Sequence, residues 1–146
     1  MMPMDHETIA ARIPHGGSMC LLQRMHSRSD DHIRCSASSH RDPANPLRLG
    51  GVLPAACAVE YAAQAMALHG ALAAPEGSAP TAGFLASVRS VRLRVPRLDD
   101  VAGDLVVSAQ RLAGDPRQAL YSFALHDEDG ALLVEGRATV ILNGTP

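Results

Sequence analysis

The chain has 146 residues, of which 47% are hydrophobic and only 3% aromatic, and its formal net charge is −2. This length predicts a single domain over residues 1–146, and the composition excludes an intrinsically disordered chain. The small negative charge gives no reason to expect binding to nucleic acid or to a membrane. The N-terminus lacks the basic start and apolar stretch of a signal peptide, so we expect a cytoplasmic protein.

The predicted elements include two helices and several short runs typical of strands. A helix over residues 5–12 precedes strands over 19–28 and 32–38, which are joined by the polar turn 29–31. A loop over 40–51, rich in Pro and Gly, leads into a long Ala-rich helix over 54–73, with Pro54 at its first position. Four more strands are predicted over 84–95, 105–112, 118–126 and 131–142.

The long helix has only three strongly polar side chains, Glu60, Gln64 and His69. A helix that is apolar on all sides should be surrounded by protein. Strands joined by tight turns pair antiparallel, and one such sheet can bend around one helix. The element order therefore predicts an α+β hotdog fold, with a bent antiparallel sheet wrapped around one long central helix. Because Ala buries little area, such a chain would gain from burying more surface in an oligomer.

Glu60 is the most informative candidate for catalysis. Its neighbours within one helical turn are mostly Ala, Cys and Val, and such surroundings favour the protonated carboxyl, which is a usable general acid. Gln64 lies one turn further on the same face and would hold the carboxyl or the substrate in place. The alternative is a structural Glu that bonds to the backbone or pairs across a dimer.

Two histidines in loops are candidate general bases, because imidazole titrates near neutral pH. His40 precedes the long helix and His15 lies in a Gly-rich loop; either could equally be an idle surface residue. The remaining five are expected at the surface or at sheet edges: His6, His26, His32, His69 and His126. Neither these residues nor the three cysteines have zinc-ligand spacing, so we expect no metal, cofactor or disulfide.

Two further features are compatible with binding an acyl thioester. The start of the long helix presents free N–H groups that would stabilise a thioester oxyanion, and Gly50 and Gly51 would allow close approach. Arg89, Arg92 and Arg94 lie on the strand predicted over 84–95 and would face an acidic carrier protein or a coenzyme A phosphate, unless they form a solvated strand face.

Residues 40–46 (His-Arg-Asp-Pro-Ala-Asn-Pro) and 53–64, with Glu60 and Gln64, resemble the signature of the bacterial (3R)-hydroxyacyl-acyl-carrier-protein dehydratases. Residues 13–15, 19–22 and 83–96 also resemble that family, so the similarity spans almost the whole chain. Residues 45–48, 60–66 and 69–70 are similar to the dehydratase-like hotdog proteins encoded with aryl-polyene pigment synthesis.

The resemblance implies roles for individual residues. His40 would remove the α-proton and Glu60 would protonate the β-hydroxyl, with the pair completed across a homodimer and oriented by Gln64. Pro54 matches the proline of the family, and the backbone N–H of Ala55 would bind the oxyanion. The implied reaction is dehydration of a 3-hydroxyacyl thioester to the trans-2-enoyl product without a cofactor.

The chain also departs from that pattern. Nineteen residues separate His40 from Glu60, six more than in the family, and Ala55 replaces a glycine. His15 is the reserve base if the longer loop directs His40 elsewhere. Two other functions therefore stay open: hydrolysis of an acyl thioester, and a non-catalytic hotdog subunit that partners a second dehydratase.

Overall fold

The computed structural model describes residues 3–13, 19–73 and 84–141. Its two helices are α1 (His6–Arg12) and α2 (Ala58–Ala73). Its strands are β1 (Met4–Asp5), β2 (Arg24–Arg28), β3 (His32–Ala37), β4 (Phe84–Leu93), β5 (Leu105–Gly114), β6 (Gln118–His126) and β7 (Leu132–Ile141). Short 3-10 turns cover Ser39–Arg41 and Ala55–Cys57.

The described strands form one antiparallel sheet in the order β1-β2-β3-β5-β6-β7-β4. The hairpins β2–β3, β5–β6 and β6–β7 are sequential, as their polar turns predicted. β4 follows α2 in the chain but lies at the far edge of the sheet, where it pairs with β7. Its other edge has no partner strand among the described residues.

Side chains alternate between the two faces of the sheet, as the strand geometry requires. Tyr121, Phe123 and Leu125 of β6 are buried, whereas Ser122 and Ala124 between them are half-buried. α2 packs on the buried face against β3, β5 and β6. This arrangement is the one that the element order predicted. No helix in the described segments is long and apolar enough to span a membrane.

Some boundaries differ from the prediction. The long helix begins with a 3-10 turn, and Pro54 lies just before it rather than at its first position. The strand expected from residue 19 begins only at Arg24, and the two-residue strand β1 was not predicted. The described residues also leave one face of the helix partly uncovered, since Ala56 in the preceding 3-10 turn is exposed and Ala63 in α2 is half-buried.

The prediction for His69 was wrong. This side chain is only 1% exposed, because the end of α2 packs against β6 and the β2–β3 turn. Its Nε2 lies 2.9 Å from the carbonyl oxygen of Ser29, and its Nδ1 lies 2.7 Å from the hydroxyl of Tyr121. His69 is therefore a satisfied core residue that ties the helix to the sheet.

Candidate active site

Glu60 lies on the half-buried face of α2, in the first turn of the helix. The neighbouring positions on this face hold the small side chains of Ala56, Cys57 and Ala63, which leave space beside the carboxylate. Burial raises the pKa of the Cys57 thiol, which therefore stays protonated near neutral pH and is a poor nucleophile. Glu60 is thus the group on this face that is suited to proton transfer.

Gln64 is fully buried and fastens α2 to the strand-like segment before β2. Its side-chain oxygen accepts a hydrogen bond from Leu21 N at 2.8 Å, and its Nε2 donates to Met19 O at 2.7 Å. Because these bonds fix the amide orientation, Nε2 also points to Glu60 Oε1, at 3.4 Å. The structure therefore brings together the predicted pair of Glu60 and Gln64.

A chain of hydrogen bonds attaches the loop that carries His40 to α2. Ser39 Oγ donates to Leu21 O at 2.7 Å, so it accepts from the hydroxyl of Tyr61 at 2.9 Å. Tyr61 in turn accepts from Asn45 Nδ2 at 3.2 Å. Burial raises the pKa of Tyr61, which keeps its hydroxyl protonated as this chain requires.

His40 is fully buried in the 3-10 turn of this loop. Its Nε2 lies 3.0 Å from Val101 O, and a carbonyl oxygen only accepts, so Nε2 carries the proton in the neutral ring. Nδ1 is then a lone-pair nitrogen, and it has no hydrogen-bond partner among the described residues. Burial lowers the pKa of His40, so the neutral form predominates at pH 7.

The segment after β4 holds both His40 and the start of α2. Besides the contact of Val101 with His40, Pro96 O accepts a hydrogen bond from Ala55 N at 3.1 Å. Leu53 N donates to Asp99 Oδ1 at 2.9 Å. The guanidinium of Arg97 lies beside Asp99 and holds the pKa of that carboxyl well below its usual range. The Asp99 carboxylate that accepts from Leu53 therefore stays ionised.

The hydrogen bond of Ala55 changes the expected oxyanion site. Ala55 is 2% exposed and its N–H is already donated to Pro96, so this N–H is not available to a thioester oxygen. The next residue, Ala56, is exposed on the same face as Glu60, and its N–H has no acceptor among the described residues.

The additional residues between His40 and Glu60 form a compact turn. Leu49 and Val52 exchange two backbone hydrogen bonds, with Gly50 and Gly51 both at positive φ between them. Such a two-residue turn needs glycine because both central residues adopt left-handed backbone angles. Arg48 donates to Gly51 O at 2.9 Å and to the backbone oxygen of His40 at 3.1 Å.

The other predicted site residues lie elsewhere. Arg89 and Arg92 are exposed on β4 and Arg94 is exposed just after it. His15 falls outside the described residues. The bond of the His40 ring goes to Val101 rather than to Glu60, so within one chain the predicted acid and base are not joined.

Sequence reasoning missed the residues that position the site, namely Tyr61, Ser39, Asp99 and Arg97. Asn45 and Tyr61 do belong to the stretches that resemble the dehydratases, which was the one available signal. The remaining positioning contacts join residues far apart in the chain and leave no periodic pattern.

The model of one protein family, described as ApeP-like: ApeP dehydratase, matches residues 7–144. No curated protein matches the sequence. A chain of the dehydratase heterocomplex ApeI:P from Xenorhabdus doucetiae is 27% identical, with a TM-score of 0.83 over 94% of this chain and 91% of that chain.

Thioesterases share the fold at lower identity. A mutant thioesterase from Pseudomonas aeruginosa is 15% identical, with a TM-score of 0.69 over 96% of this chain and 94% of that chain. A thioesterase from Haemophilus influenzae is 15% identical, with a TM-score of 0.68 over 95% of this chain and 90% of that chain. These likenesses confirm the predicted hotdog fold. Since the family model covers nearly the whole chain, the protein belongs to the ApeP-like dehydratase family.

Proposed function

We propose that this chain dehydrates a 3-hydroxyacyl thioester, carried on acyl carrier protein, to the trans-2-enoyl thioester in a fatty-acid-like or aryl-polyene pathway. His40 Nδ1 takes the α-proton while the thioester oxygen gathers negative charge. The bond from the β-carbon to its hydroxyl then breaks, and Glu60 supplies the proton with which the hydroxyl leaves as water. The reaction needs no redox partner, because hydrogen and hydroxyl leave the same substrate.

The observation that carries this proposal is Nδ1 of the fully buried His40, which lacks a hydrogen-bond partner in the part of the chain that the structure describes. Buried polar atoms nearly always have a hydrogen-bond partner, so a bare lone pair calls for an explanation. The bond from Nε2 to Val101 O selects the tautomer in which Nδ1 is the basic atom. A neutral imidazole held this way is a general base ready for use at pH 7.

Glu60 fits the complementary role of the acid. Gln64 directs an N–H toward Oε1 at 3.4 Å, so the amide holds the carboxyl group in a fixed position on the helix. Because the N–H of Ala55 is occupied, we assign the oxyanion contact to the N–H of Ala56, one turn before Glu60 on the exposed face. Pro54 then positions this turn rather than contacting substrate.

The proposal includes a second hotdog subunit, either another copy or a related chain. Leu85, Val91 and Leu93 of the edge strand β4 are 38%, 37% and 49% exposed. Covering these apolar side chains with a second sheet would stabilise the pair. His40 of one subunit and Glu60 of the other would then border one acyl cavity, which explains why a single chain does not join them.

The test is turnover of a 3-hydroxyacyl thioester, on carrier protein and on coenzyme A, by the chain alone and with its partner subunit. Glu60→Gln and His40→Gln should each lower kcat at least 100-fold, the usual scale for removing a general acid or base. His40→Gln keeps an N–H donor for Val101 O but offers no basic nitrogen. Matched controls are Glu7→Gln and His126→Ala, at positions away from the site.

Three results would each redirect the proposal. Unchanged kcat in both site variants would remove the assigned roles. Release of free thiol without an enoyl product would indicate a thioesterase. Activity only in a complex, unaffected by Glu60→Gln in this chain, would favour a non-catalytic subunit; the related ApeI:P heterocomplex and the full burial of His40 support that second candidate.

A further inference from the structure

The face of the sheet opposite α2 carries two ordered lines of polar side chains. Strand register places one line straight across five strands, from β3 to the edge strand β4: His32, Gln110, Ser122, Arg137 and Arg89. Neighbouring strands are about 4.8 Å apart, so this line is roughly 19 Å long. Gln110 and Ser122 in this line are neutral, whereas Arg137 and Arg89 place two positive charges at its β4 end.

The adjacent line has the same character. It runs through Arg34, Ser108, Ala124, Glu135 and Arg92 in the same order of strands. Because Ser108 and Ala124 are short, the middle of the sheet forms the floor of a groove of about 600 Å³. Arg92 and Arg137 line one side of this groove, and His32 and Gln110 line the other.

The charge of this face is opposite to that of the whole chain. The two lines contain four arginines and one glutamate, while the protein as a whole has a net charge of −2. None of the four arginines forms an ion pair within 4 Å with a described residue. By contrast, Arg41 and Arg97 elsewhere are each paired with an aspartate.

The backbone of β4 adds a second observation at this groove. Ser90 has a φ of 56°, the left-handed region that serine rarely adopts, at a bulge where the register with β7 shifts. The bulge places Ser90 in the lining of the groove, next to Arg92. Such strained residues cluster at functional sites, because the surrounding structure must maintain them.

We propose that this groove binds a phosphate-bearing small molecule of nucleotide size. Guanidinium groups donate charge-assisted hydrogen bonds to phosphate oxygens, and the neutral side chains of Ser122 and Gln110 add further donors in the groove. A second copy of this face fits poorly, because it would bring arginines against arginines. The groove lies across the sheet from Glu60, so it is distinct from the acyl site and does not depend on the function proposed there.

The test is calorimetric titration of the full chain with ADP at low and at moderate salt, with adenosine as the uncharged comparison. ADP should bind, and the affinity should fall as salt rises. Arg92→Gln and Arg137→Gln should each weaken binding about tenfold, since each removes a charged donor to the phosphates. Arg41→Gln is the matched control, because Arg41 is exposed but paired with Asp104.

Three results would overturn the proposal. One is the absence of ADP binding at millimolar concentration while the chain is folded, as checked by circular dichroism. Another is equal affinity for adenosine and ADP, which would remove the phosphate from the recognition. The third is an Arg92→Gln variant that binds ADP normally but changes the mass of the assembly, because the groove would then be an interface between subunits.

Discussion

Replacing His69 by Phe and Tyr121 by Phe, singly and together, tests the hydrogen bonds that fasten the end of α2. The carbonyl oxygen of Ser29 only accepts, so Nε2 of His69 carries the proton and the hydroxyl of Tyr121 donates to Nδ1. Each single variant leaves one buried polar atom without its partner: the hydroxyl in the first case and Nδ1 in the second. The double variant removes both atoms of that pair.

Each single substitution should lower the free energy of unfolding by about 1–3 kcal/mol, the cost of a buried polar group that loses its partner. Tyr121 is 1% exposed, so water cannot replace the lost bond. Ser29 is exposed, so its carbonyl oxygen can bond to water and adds little. The double variant should therefore cost about 1–2 kcal/mol less than the sum of the singles.

Urea unfolding followed by circular dichroism measures the change in the free energy of unfolding for each of the three variants, with the m-value as a check on two-state behaviour. Additivity within about 0.5 kcal/mol would refute the assigned hydrogen bond, because independent sites behave that way. The pH dependence gives a second readout. Burial lowers the pKa of His69 in the folded chain. As the pH falls below about 6.5, the histidine is therefore protonated in the unfolded chain before it is protonated in the folded chain. The free energy of unfolding should decrease as the pH falls further. That loss should be smaller in His69→Phe.

Three other substitutions have outcomes that urea unfolding can check. Gln64→Leu should cost about 1–3 kcal/mol, because it leaves the buried N–H of Leu21 without an acceptor; a change below about 0.5 kcal/mol would contradict the role of this bond. Gly136→Ala should cost about 1–3 kcal/mol, since its new methyl group would lie 2.7 Å from the buried ring of Phe123; a neutral result would mean that the ring moves freely. Ser90→Gly should stabilise the chain by up to about 1 kcal/mol by relieving the left-handed backbone; destabilisation would show that the hydroxyl matters more than the strain.

The sequence predicted those parts of the fold that local patterns encode. The Ala-rich run after Pro54 and the alternation around Tyr121 are strong periodic signals, and both elements are present. The strand predicted from residue 19 begins later because the backbone groups of Leu21 bond to side chains, its N–H to Gln64 and its carbonyl oxygen to Ser39, and not to a neighbouring strand. Whether His69 is buried depends on which face of α2 meets the sheet, and a helix apolar on all sides does not reveal that.

The candidate site was predictable only in part, for a similar reason. Glu60 and Gln64 are one turn apart on one helix, so the helical period alone brings them together. The orientation of the His40 ring depends on Val101, sixty-one residues away in the chain. The backbone N–H of Ala55 is already donated to Pro96 O, and Pro96 lies in a segment without a periodic sequence pattern. Contacts of this kind follow from tertiary packing, and no local sequence pattern predicts them.

The longer spacing between His40 and Glu60 need not alter the chemistry of the pair. The additional residues close on themselves through the turn at Gly50 and Gly51, so they add chain length without separating the ends of the loop. Arg48 then ties that turn to the backbone of His40. Because one segment, from Pro96 to Val101, holds both the helix start and the imidazole, their relative position is determined by this segment and not by the length of the loop. An insertion placed outside such a clamp changes the sequence signature, while Pro96 and Val101 still hold the start of the helix and the ring of His40.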